Sequence, residues 1–490
     1  MNRRRMILSF MVMTLVGCST LAPEYQRPQA PIATRWPASV ETQASDGGGG
    51  EEISWRTLFA DPKLREVVQL ALENNRDLRV AALNIEKARA QYRIQRAELL
   101  PQVDVTGGQT AQRTPASVSY SGIDGVSRSY TLDVGISAYE LDLFGRLRSL
   151  KDEALQSYLA TAETQRATQV SLIAEVADSY LSLAADLDLQ RLAHNSLKTR
   201  QEAYDLQVEL VDVGNSSQVE LRQAEGELET ARAEALSANN QVALDRNALE
   251  LLVGAPLPPA LVPTSGQLPT MLGVREIPAG MPSALLRNRP DIRSAEHSLI
   301  GANANIGAAR AAFFPSISLT ATAGRASDDL SSLFAGRSWS FVPQISLPIF
   351  TAGRLQSELE VSEVQRSIAL AEYEQVIQTA FREVSDALAD RSVVDEQWEA
   401  QRKRTDAAQA AYDLVLLRYE DGVASYLEVL DAQRTLLTAR QALIQSDASR
   451  QTAVITLYKA LGGDWLEEAN EIPSLSDPVQ RVASISTTLP

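Results

Sequence analysis

Few residues in this sequence have the types and spacing that catalysis or metal binding requires. The chain holds two histidines, His194 and His297, and neither has another plausible metal ligand near it in the sequence. The sequence contains no nucleophile elbow and no glycine loop that could cradle a phosphate. We therefore predict a protein that is not an enzyme and that binds no metal and no cofactor.

The only cysteine, Cys18, has the setting of a lipid attachment site. Basic residues at 3–5 precede an apolar run at 6–16 that is too short to span a bilayer as a helix. The run ends in Leu15-Val16-Gly17-Cys18, which has the residue types of a bacterial lipobox. We expect a signal peptide at 1–17 and lipid, palmitate included, on Cys18. A chance cysteine at the end of an ordinary signal is the alternative.

Two further features suggest where the protein works. The residue after the cysteine is Ser19 and not an aspartate. By resemblance to bacterial lipoproteins, this favours sorting of the protein to the outer membrane. Loss of three arginines with the signal would move the net charge from −16 to −19. This charge argues against nucleic acid or an anionic membrane surface as a partner, although solubility of a large periplasmic surface explains it as well.

Two carboxylates near the C-terminal part of the chain could act on ions. Glu428 and Asp431 are three residues apart and therefore lie on one face of a helix. They follow a glycine turn, 421–425, and a similar turn lies at 214–217. Taken alone, such a pair is usually a solvated part of a helix surface.

Four stretches that alternate apolar and polar residues predict β-strands. Such strands are typical of a transmembrane barrel with an apolar face toward lipid and a polar face toward a wet lumen, and a half-buried hairpin of a soluble domain is the alternative. We place Ala138 on the apolar face and Tyr139 on the polar face. Pro343 cannot donate to a ladder, so a bulge or the end of the strand is expected nearby. The stretches are 102–106, 130–139, 316–323 and 339–347, with exposed connections at 112–128 and 324–337.

Long segments without proline or glycine predict helices. The two longest would each reach roughly 90–100 Å at 1.5 Å per residue, and pairs of shorter helices stacked end to end could run beside them. Ile173, Val176 and Tyr180 begin one coiled-coil seam, and Val361, Val364 and Ile368 form another. The predicted helices are 148–211 and 354–419 (long), and 76–98, 218–252, 291–312 and 426–461 (short).

Four strands cannot close a barrel, and an open edge in hydrocarbon leaves backbone groups unpaired. The other strands must therefore come from further copies of the chain. A trimer supplies twelve strands, which enclose a channel. A dimer would supply eight, and side chains fill the interior of an eight-stranded barrel. The fold class that we predict is an α+β membrane protein, a trimeric 12-stranded β-barrel continued by a long periplasmic α-helical barrel.

The chain also contains an internal duplication. Asp77 and Pro101 recur as Asp291 and Pro315, at an offset of 214, and Gly254 recurs as Gly462 at an offset of 208. We therefore predict two structurally equivalent repeats. The predicted domains are 1–17 (signal), 18–60 (tether), 61–254 (repeat 1, with strands in 102–141 and a helical hairpin at 148–252), 255–281 (Pro-rich bridge), 282–463 (repeat 2, with strands in 315–349 and a hairpin at 354–461) and 464–490 (tail). We expect the tail, the bridge and 51–74 to pack around the middle of the helices.

Several motifs together resemble the bacterial outer-membrane factor family of efflux exit ducts, and the lipobox resembles that of its lipoprotein branch. The resemblance covers nearly all of 18–465. Its motifs include Asn74-Asn75-x-Asp77-Leu78, the stretch 139–146 (Tyr-Glu-Leu-Asp-Leu-Phe-Gly-Arg), Arg289-Pro290-Asp291-Ile292, Ala312-Phe313-Phe314-Pro315, Leu347-Pro348-Ile349-Phe350 and the stretch 418–433, which begins Arg418-Tyr419 and ends Ala432-Gln433.

The resemblance implies a homotrimeric duct in the outer membrane that extends into the periplasm and docks with a periplasmic adaptor and an inner-membrane RND-type pump. It implies a periplasmic constriction made by Leu427, Glu428 and Asp431. It also implies a gate lock at Tyr419 and Glu220; the arginine of that lock is replaced by Ala424, so Arg222 and Arg418 are substitute candidates. The hairpin tips expected to dock the adaptor are Gly214, Asn215, Ser216, Gly422, Val423, Ala424 and Ser425.

Two other functions remain open from the sequence alone. The chain could be the exit duct of a type I secretion system, which exports protein, or a structural periplasmic lipoprotein made of coiled coils. We expect no nucleic-acid partner and expect contact with outer-membrane lipid.

Overall fold

The structure is a computed structural model that describes residues 20–33, 36, 54–118, 124–266, 268, 271–272 and 289–463. The predicted signal peptide, Cys18 and the tail at 464–490 lie outside these residues. The described chain is mainly helical with one four-stranded sheet. Its elements are α1 (Trp55–Leu58), α2 (Pro62–Asn74), α3 (Arg76–Ala97), β1 (Val103–Thr114), β2 (Gly125–Glu140), α4 (Arg146–Asp212), α5 (Gln218–Val253), α6 (Pro290–Ala311), β3 (Ser316–Ser327), β4 (Arg337–Ser346), α7 (Arg354–Glu420) and α8 (Tyr426–Ala460), with short 3₁₀ turns at Pro259–Leu261 and Leu330–Ser332.

The chain forms two compact units, and each draws on both halves of the sequence. The sheet unit comprises the described residues up to Ala30 together with Leu83–Ala162 and Ser294–Gln375. The core unit comprises Pro31–Ala82, Glu163–Arg293 and the described residues from Val376 onward.

The six predicted helices are confirmed, and their ends lie within two residues of the predicted positions. The long helices α4 and α7 contain 67 residues each, α3 and α6 contain 22 each, and α5 and α8 contain 36 and 35. None of the helices in the described ranges carries an apolar stretch long enough to cross a membrane.

In the core unit, pairs of shorter helices meet end to end, and a hydrogen bond at the equivalent position joins each pair. The Asn75 side chain, just before α3, donates to the carbonyl of Leu252 near the end of α5, at 2.8 Å. The Arg289 side chain, just before α6, donates to the carbonyl of Ala460 at the end of α8, also at 2.8 Å. These contacts agree with the predicted stacking of short helices.

The strands form one antiparallel sheet in the order β1-β2-β3-β4. Within the described chain, β1 and β4 are its edges. Directly opposed residues share a face, and Val105, Val134, Ala323 and Trp339 form one such row. The predicted division into an apolar and a polar face is therefore correct, and the apolar face is exposed in the single chain, with Trp339 79% exposed.

One residue assignment was wrong. A β-bulge between Ile136 and Tyr139 adds one residue to β2, and Ala138 adopts a φ of 52° there. The extra residue shifts the alternation, so Tyr139 pairs with Leu319 on the apolar face. The Tyr139 hydroxyl donates to the carbonyl of Leu99 at 3.1 Å.

The strands are also longer than predicted. β1 continues to Thr114 through a polar, glycine-containing stretch, and β2 begins at Gly125, so both enter the predicted connection 112–128. These residues are kept in the strand conformation by backbone pairing between β1 and β2, although they lack an alternating apolar pattern. Around Pro343 we find neither the expected bulge nor the strand end, because β4 pairs with β3 without a shift to Ser346. Within the single chain β4 is an edge strand, which is where a proline is tolerated.

The largest apolar core lies in the core unit. Trp55, Leu58 and Phe59 belong to it, so the chain is already packed from Trp55 and the predicted tether, 18–60, ends earlier. Together with α2 and the bridge residues Leu261, Leu268 and Met271, they pack on the middle of α4. This agrees with the expected packing of 51–74 and the bridge.

The two predicted coiled-coil seams behave differently. Ile173, Val176 and Tyr180 are buried. In contrast, Val361, Val364 and Ile368 on α7 are exposed by 67%, 52% and 45%. This second seam, in the sheet unit, is therefore an apolar helix surface that the described residues of its own chain do not cover.

The first part of the predicted tether is extended, as expected, but it is held against α6 in the sheet unit. The nearly buried carboxylate of Glu296 accepts hydrogen bonds from the Tyr25 hydroxyl at 3.1 Å and from both the Nε (2.6 Å) and a terminal nitrogen of Arg27. The Asn303 side chain donates to a backbone carbonyl of the segment at 2.7 Å. The segment at 20–33 is therefore docked on the helix rather than free.

We expect Glu296→Ala to release this segment. Hydrogen bonds to a charged group contribute on the order of 1.5–3 kcal/mol, so cleavage by chymotrypsin after Tyr25 should become about tenfold faster or more. Glu358→Ala, which breaks the exposed 2.6 Å ion pair with Arg354 in the same unit, serves as the control. Equal cleavage rates for the two variants would contradict docking through Glu296.

Candidate functional site

The two long helical hairpins of the core unit turn in the same way. At the end of α4, the Asn215 amide donates to the Leu210 carbonyl at 2.8 Å, and Gly214 has a φ of 75°. At the end of α7, the Val423 amide donates to the Arg418 carbonyl at 2.8 Å, and Gly422 has a φ of 72°. Both are Schellman turns, which require a left-handed residue and therefore favour glycine. The two predicted tips are confirmed as turns.

Each tip continues into a helix through a capping box. Ser217 caps α5, and the Glu220 side chain accepts from the Ser217 amide at 3.0 Å. Ser425 caps α8, and the Glu428 side chain accepts from the Ser425 amide at 3.0 Å. These backbone donors lower the pKa of both glutamates below the ordinary value. Each carboxylate therefore stabilises the start of its own helix and carries full charge at neutral pH.

The two tips differ in what else contacts the capping glutamate. In the first, the Ser216 hydroxyl lies 2.7 Å from both Glu220 and the buried Gln207 side chain. In the second, Ala424 stands in the position of Ser216, and the Arg418 guanidinium lies 3.9 Å from Glu428. Glu220 is thus held by the neutral side chain of Ser216, which also contacts Gln207, whereas the charged side chain of Arg418 approaches Glu428.

Of the other gate residues expected from the sequence, Arg222 forms an exposed ion pair with Glu225 at 2.5 Å. Tyr419 packs against Tyr426, with ring centroids 5.9 Å apart, beside a small cluster that includes Leu430. Within the described chain no hydrogen bond joins Tyr419 to Glu220. Tyr419, on the second hairpin, therefore packs on a cluster that includes Ala224 of the first hairpin. A lock between Tyr419 and Glu220 stays a prediction.

The residues of the expected constriction lie on the surface of the single chain. Leu427 is 57% exposed, and the Asp431 side chain, which is 76% exposed, lies 3.5 Å from Arg434. Glu428 and Asp431 occupy successive turns of α8, as their spacing predicts. Across the residues that the structure describes, no cluster of three histidine, cysteine or acidic side chains could hold a metal ion.

Sequence reasoning missed the capping role of Glu220 and Glu428. The signal was present, because both follow a serine by three residues at the start of a predicted helix, which is the capping-box pattern. It also missed Arg200 on α4, which is buried and lies 3.5 Å from Glu227 on α5. Only the tertiary structure brings these two side chains together.

Removal of the second cap should loosen one tip selectively. We expect Ser425→Ala to increase amide exchange at the start of α8 about fivefold, because an N-cap serine contributes on the order of 1 kcal/mol. Since the pKa of Glu428 is lowered by folding, its share of the cap is present at neutral pH and is lost as pH falls through that pKa. Ser217→Ala is the matched control and should affect only α5; hydrogen-exchange mass spectrometry that finds no difference at Glu428 would contradict the cap.

Comparison with known proteins shows one consistent relationship. The model of the outer membrane efflux protein family matches residues 67–255 and 281–463. The toluene efflux pump outer membrane protein TtgC of Pseudomonas putida is 47% identical over 486 residues, which cover 98% of this chain and all of that protein. A crystal structure of a membrane protein from Pseudomonas aeruginosa superposes with a TM-score of 0.86 at 41% identity, covering 91% of this chain and 98% of the other. The open state of the Neisseria gonorrhoeae MtrE outer membrane channel gives a TM-score of 0.82 at 38% identity, with coverages of 91% and 98%.

Proposed function

Because the chain belongs to the outer membrane efflux protein family and acts as an outer-membrane exit duct for efflux, we propose that three copies assemble into one continuous channel. The observation that carries this proposal is the four-stranded sheet with an exposed apolar face and two edges that no described strand covers. In hydrocarbon, each backbone group on such an edge would lack a partner at a cost of several kcal/mol.

Three sheets joined edge to edge would pair β1 of one copy with β4 of the next. Cyclic symmetry then closes a barrel of twelve strands without a free edge. Polar residues such as Asp133 and Ser340 would line the lumen, since they lie on the face opposite Trp339 and Phe341. A barrel of this size leaves room for a channel.

The helices support the same assembly. The exposed seam at Val361, Val364 and Ile368 is an apolar stripe of the kind that packs against another helix. We propose that a neighbouring copy covers it. The equal lengths of α4 and α7 and the equivalent hydrogen bonds of Asn75 and Arg289 support two internal repeats, each contributing two helical columns.

The tips form the gate of the proposed channel. Three-fold symmetry would turn Leu427, Glu428 and Asp431 into three rings at the periplasmic mouth, one apolar and two acidic, which favour cations. Tyr419, Glu220, Arg222 and Arg418 would hold the two hairpins in the closed arrangement. A periplasmic adaptor would dock at the Gly214–Ser216 and Gly422–Ser425 tips and open it, linking the duct to an inner-membrane RND-type pump.

The N-terminal segment would lead to the lipid anchor. Thr20 packs so closely on Gly145, just after β2, that a side chain at Gly145 would come within 2.8 Å of its Cα. Cys18 is two residues earlier in the sequence. A lipid on Cys18 would therefore enter the membrane near the ends of the strands that lead into the helices.

Detergent-extracted protein tests the proposal directly. We expect a trimer band in unheated gel samples that is lost when the samples are heated. In planar bilayers we expect an ion conductance that prefers cations. A monodisperse monomer that passes no ions would refute the assembly. A trimer that passes no ions would contradict the continuous channel but not the assembly of three copies.

A further inference from the structure

The charged residues of the sheet are sorted by face. Every arginine in the four strands lies on the apolar face, whereas every acidic residue in them lies on the polar face. A face that must contact lipid thus carries positive charges and no negative ones within its strands. The arginines are Arg113, Arg128, Arg325 and Arg337, and the acidic residues are Asp104, Asp133 and Glu140.

Two of the arginines stand directly opposite each other. Arg325 on β3 and Arg337 on β4 are paired residues in the ladder, which brings their Cβ atoms to about 5 Å. Like charges in this position repel. One nitrogen of Arg325 donates to the carbonyl of Phe334 at 2.7 Å, but across the part of the chain that the structure describes no carboxylate forms an ion pair with either guanidinium. By contrast, Arg113 is neutralised by Asp124 at 2.7 Å.

The pair lies at the border of the apolar band. Below it on β4 come Trp339, Phe341 and Ile345, all exposed on the same face. Ile345 and Arg337 are eight residues apart, roughly 27 Å along the strand. At the tilt of about 40° that strands of transmembrane barrels adopt, this length spans roughly 21 Å of membrane height, which is close to the apolar band of roughly 25 Å. The two guanidinium groups therefore belong at headgroup level, on the side of the connection between β3 and β4.

We propose that Arg325 and Arg337 bind the phosphate group of an anionic lipid in the outer leaflet. This inference rests on the proposed function, because it requires the apolar face to contact lipid. Guanidinium groups bind phosphate oxygens through paired charge-assisted hydrogen bonds. A phosphate monoester carries close to two negative charges at neutral pH, so it balances the two arginines and removes their repulsion.

Native mass spectrometry of the full-length trimer tests this inference with bisphosphorylated lipid A and its dephosphorylated form as probes. We expect the wild-type trimer to retain the phosphorylated lipid and to release the other. Arg325→Gln with Arg337→Gln should weaken retention about tenfold or more, since several charge-assisted hydrogen bonds are lost. Arg113→Gln is the matched control, because its guanidinium is already neutralised, and it should change retention little.

The outcomes separate this inference from the proposed function. Undiminished retention in the double variant would overturn it, as would equal retention of the two lipids by the wild-type trimer. The second comparison uses no variant, so it decides the matter even where the double variant fails to assemble. A protein that forms no trimer and passes no ions would overturn the proposed function and this inference with it.

Discussion

Phe341→Lys is expected to abolish trimer insertion into the outer membrane. Phe341 lies in the middle of β4 on the face that we assign to lipid, opposite Ala321. A lysine near the middle of the bilayer destabilises a transmembrane barrel by about 2–4 kcal/mol, and a trimer would carry three of them. Unheated gels of the outer-membrane fraction should therefore show little or no trimer.

The adjacent residue provides the control. Ser340 lies on the opposite face, where its hydroxyl is 2.7 Å from that of Thr322. We expect Ser340→Lys to leave the trimer intact and to shift its ion preference toward anions, because the new charges face the lumen. If Ser340→Lys blocked insertion and Phe341→Lys did not, the two faces of the sheet would be assigned the wrong way round.

Combined Glu428→Gln and Asp431→Asn substitution is expected to remove most of the cation preference of the channel. In the proposed trimer the change deletes six carboxylates from the narrowest part of the duct. Glutamine keeps the size of Glu428 and can still complete the capping box, so the helix start should survive. Alanine at this position would change the cap and the charge together. Reversal-potential measurements in a salt gradient would show the cation-to-anion permeability ratio falling toward one.

Glu220→Gln is the matched variant for this experiment. It alters the same kind of capping box in the other hairpin and removes a carboxylate that is not part of the proposed acidic rings. We expect it to leave the permeability ratio close to that of the wild type. An unchanged ratio in the double variant, or an equal loss in Glu220→Gln, would reject the assignment of the rings to Glu428 and Asp431.

Local features of this chain could be predicted from its sequence. The helices α4 and α7 were located within two residues, because long segments without proline or glycine and with a regular apolar stripe have few alternatives. The turns at Gly214 and Gly422 could be located because a left-handed residue after a helix favours glycine. The faces of the strands followed from their alternation, up to the bulge before Tyr139.

Contacts between segments that are distant in the sequence could be identified only from the tertiary structure. Nothing local indicates that Arg27 and Tyr25 share the carboxylate of Glu296, or that Arg325 faces Arg337. The sequence pattern marks Val361 as part of an apolar seam, but only the packed chain shows that its own helices leave this residue exposed. Helix ends and turns depend on neighbouring residues, whereas ion pairs, strand register and uncovered surfaces depend on which distant segments the fold brings together.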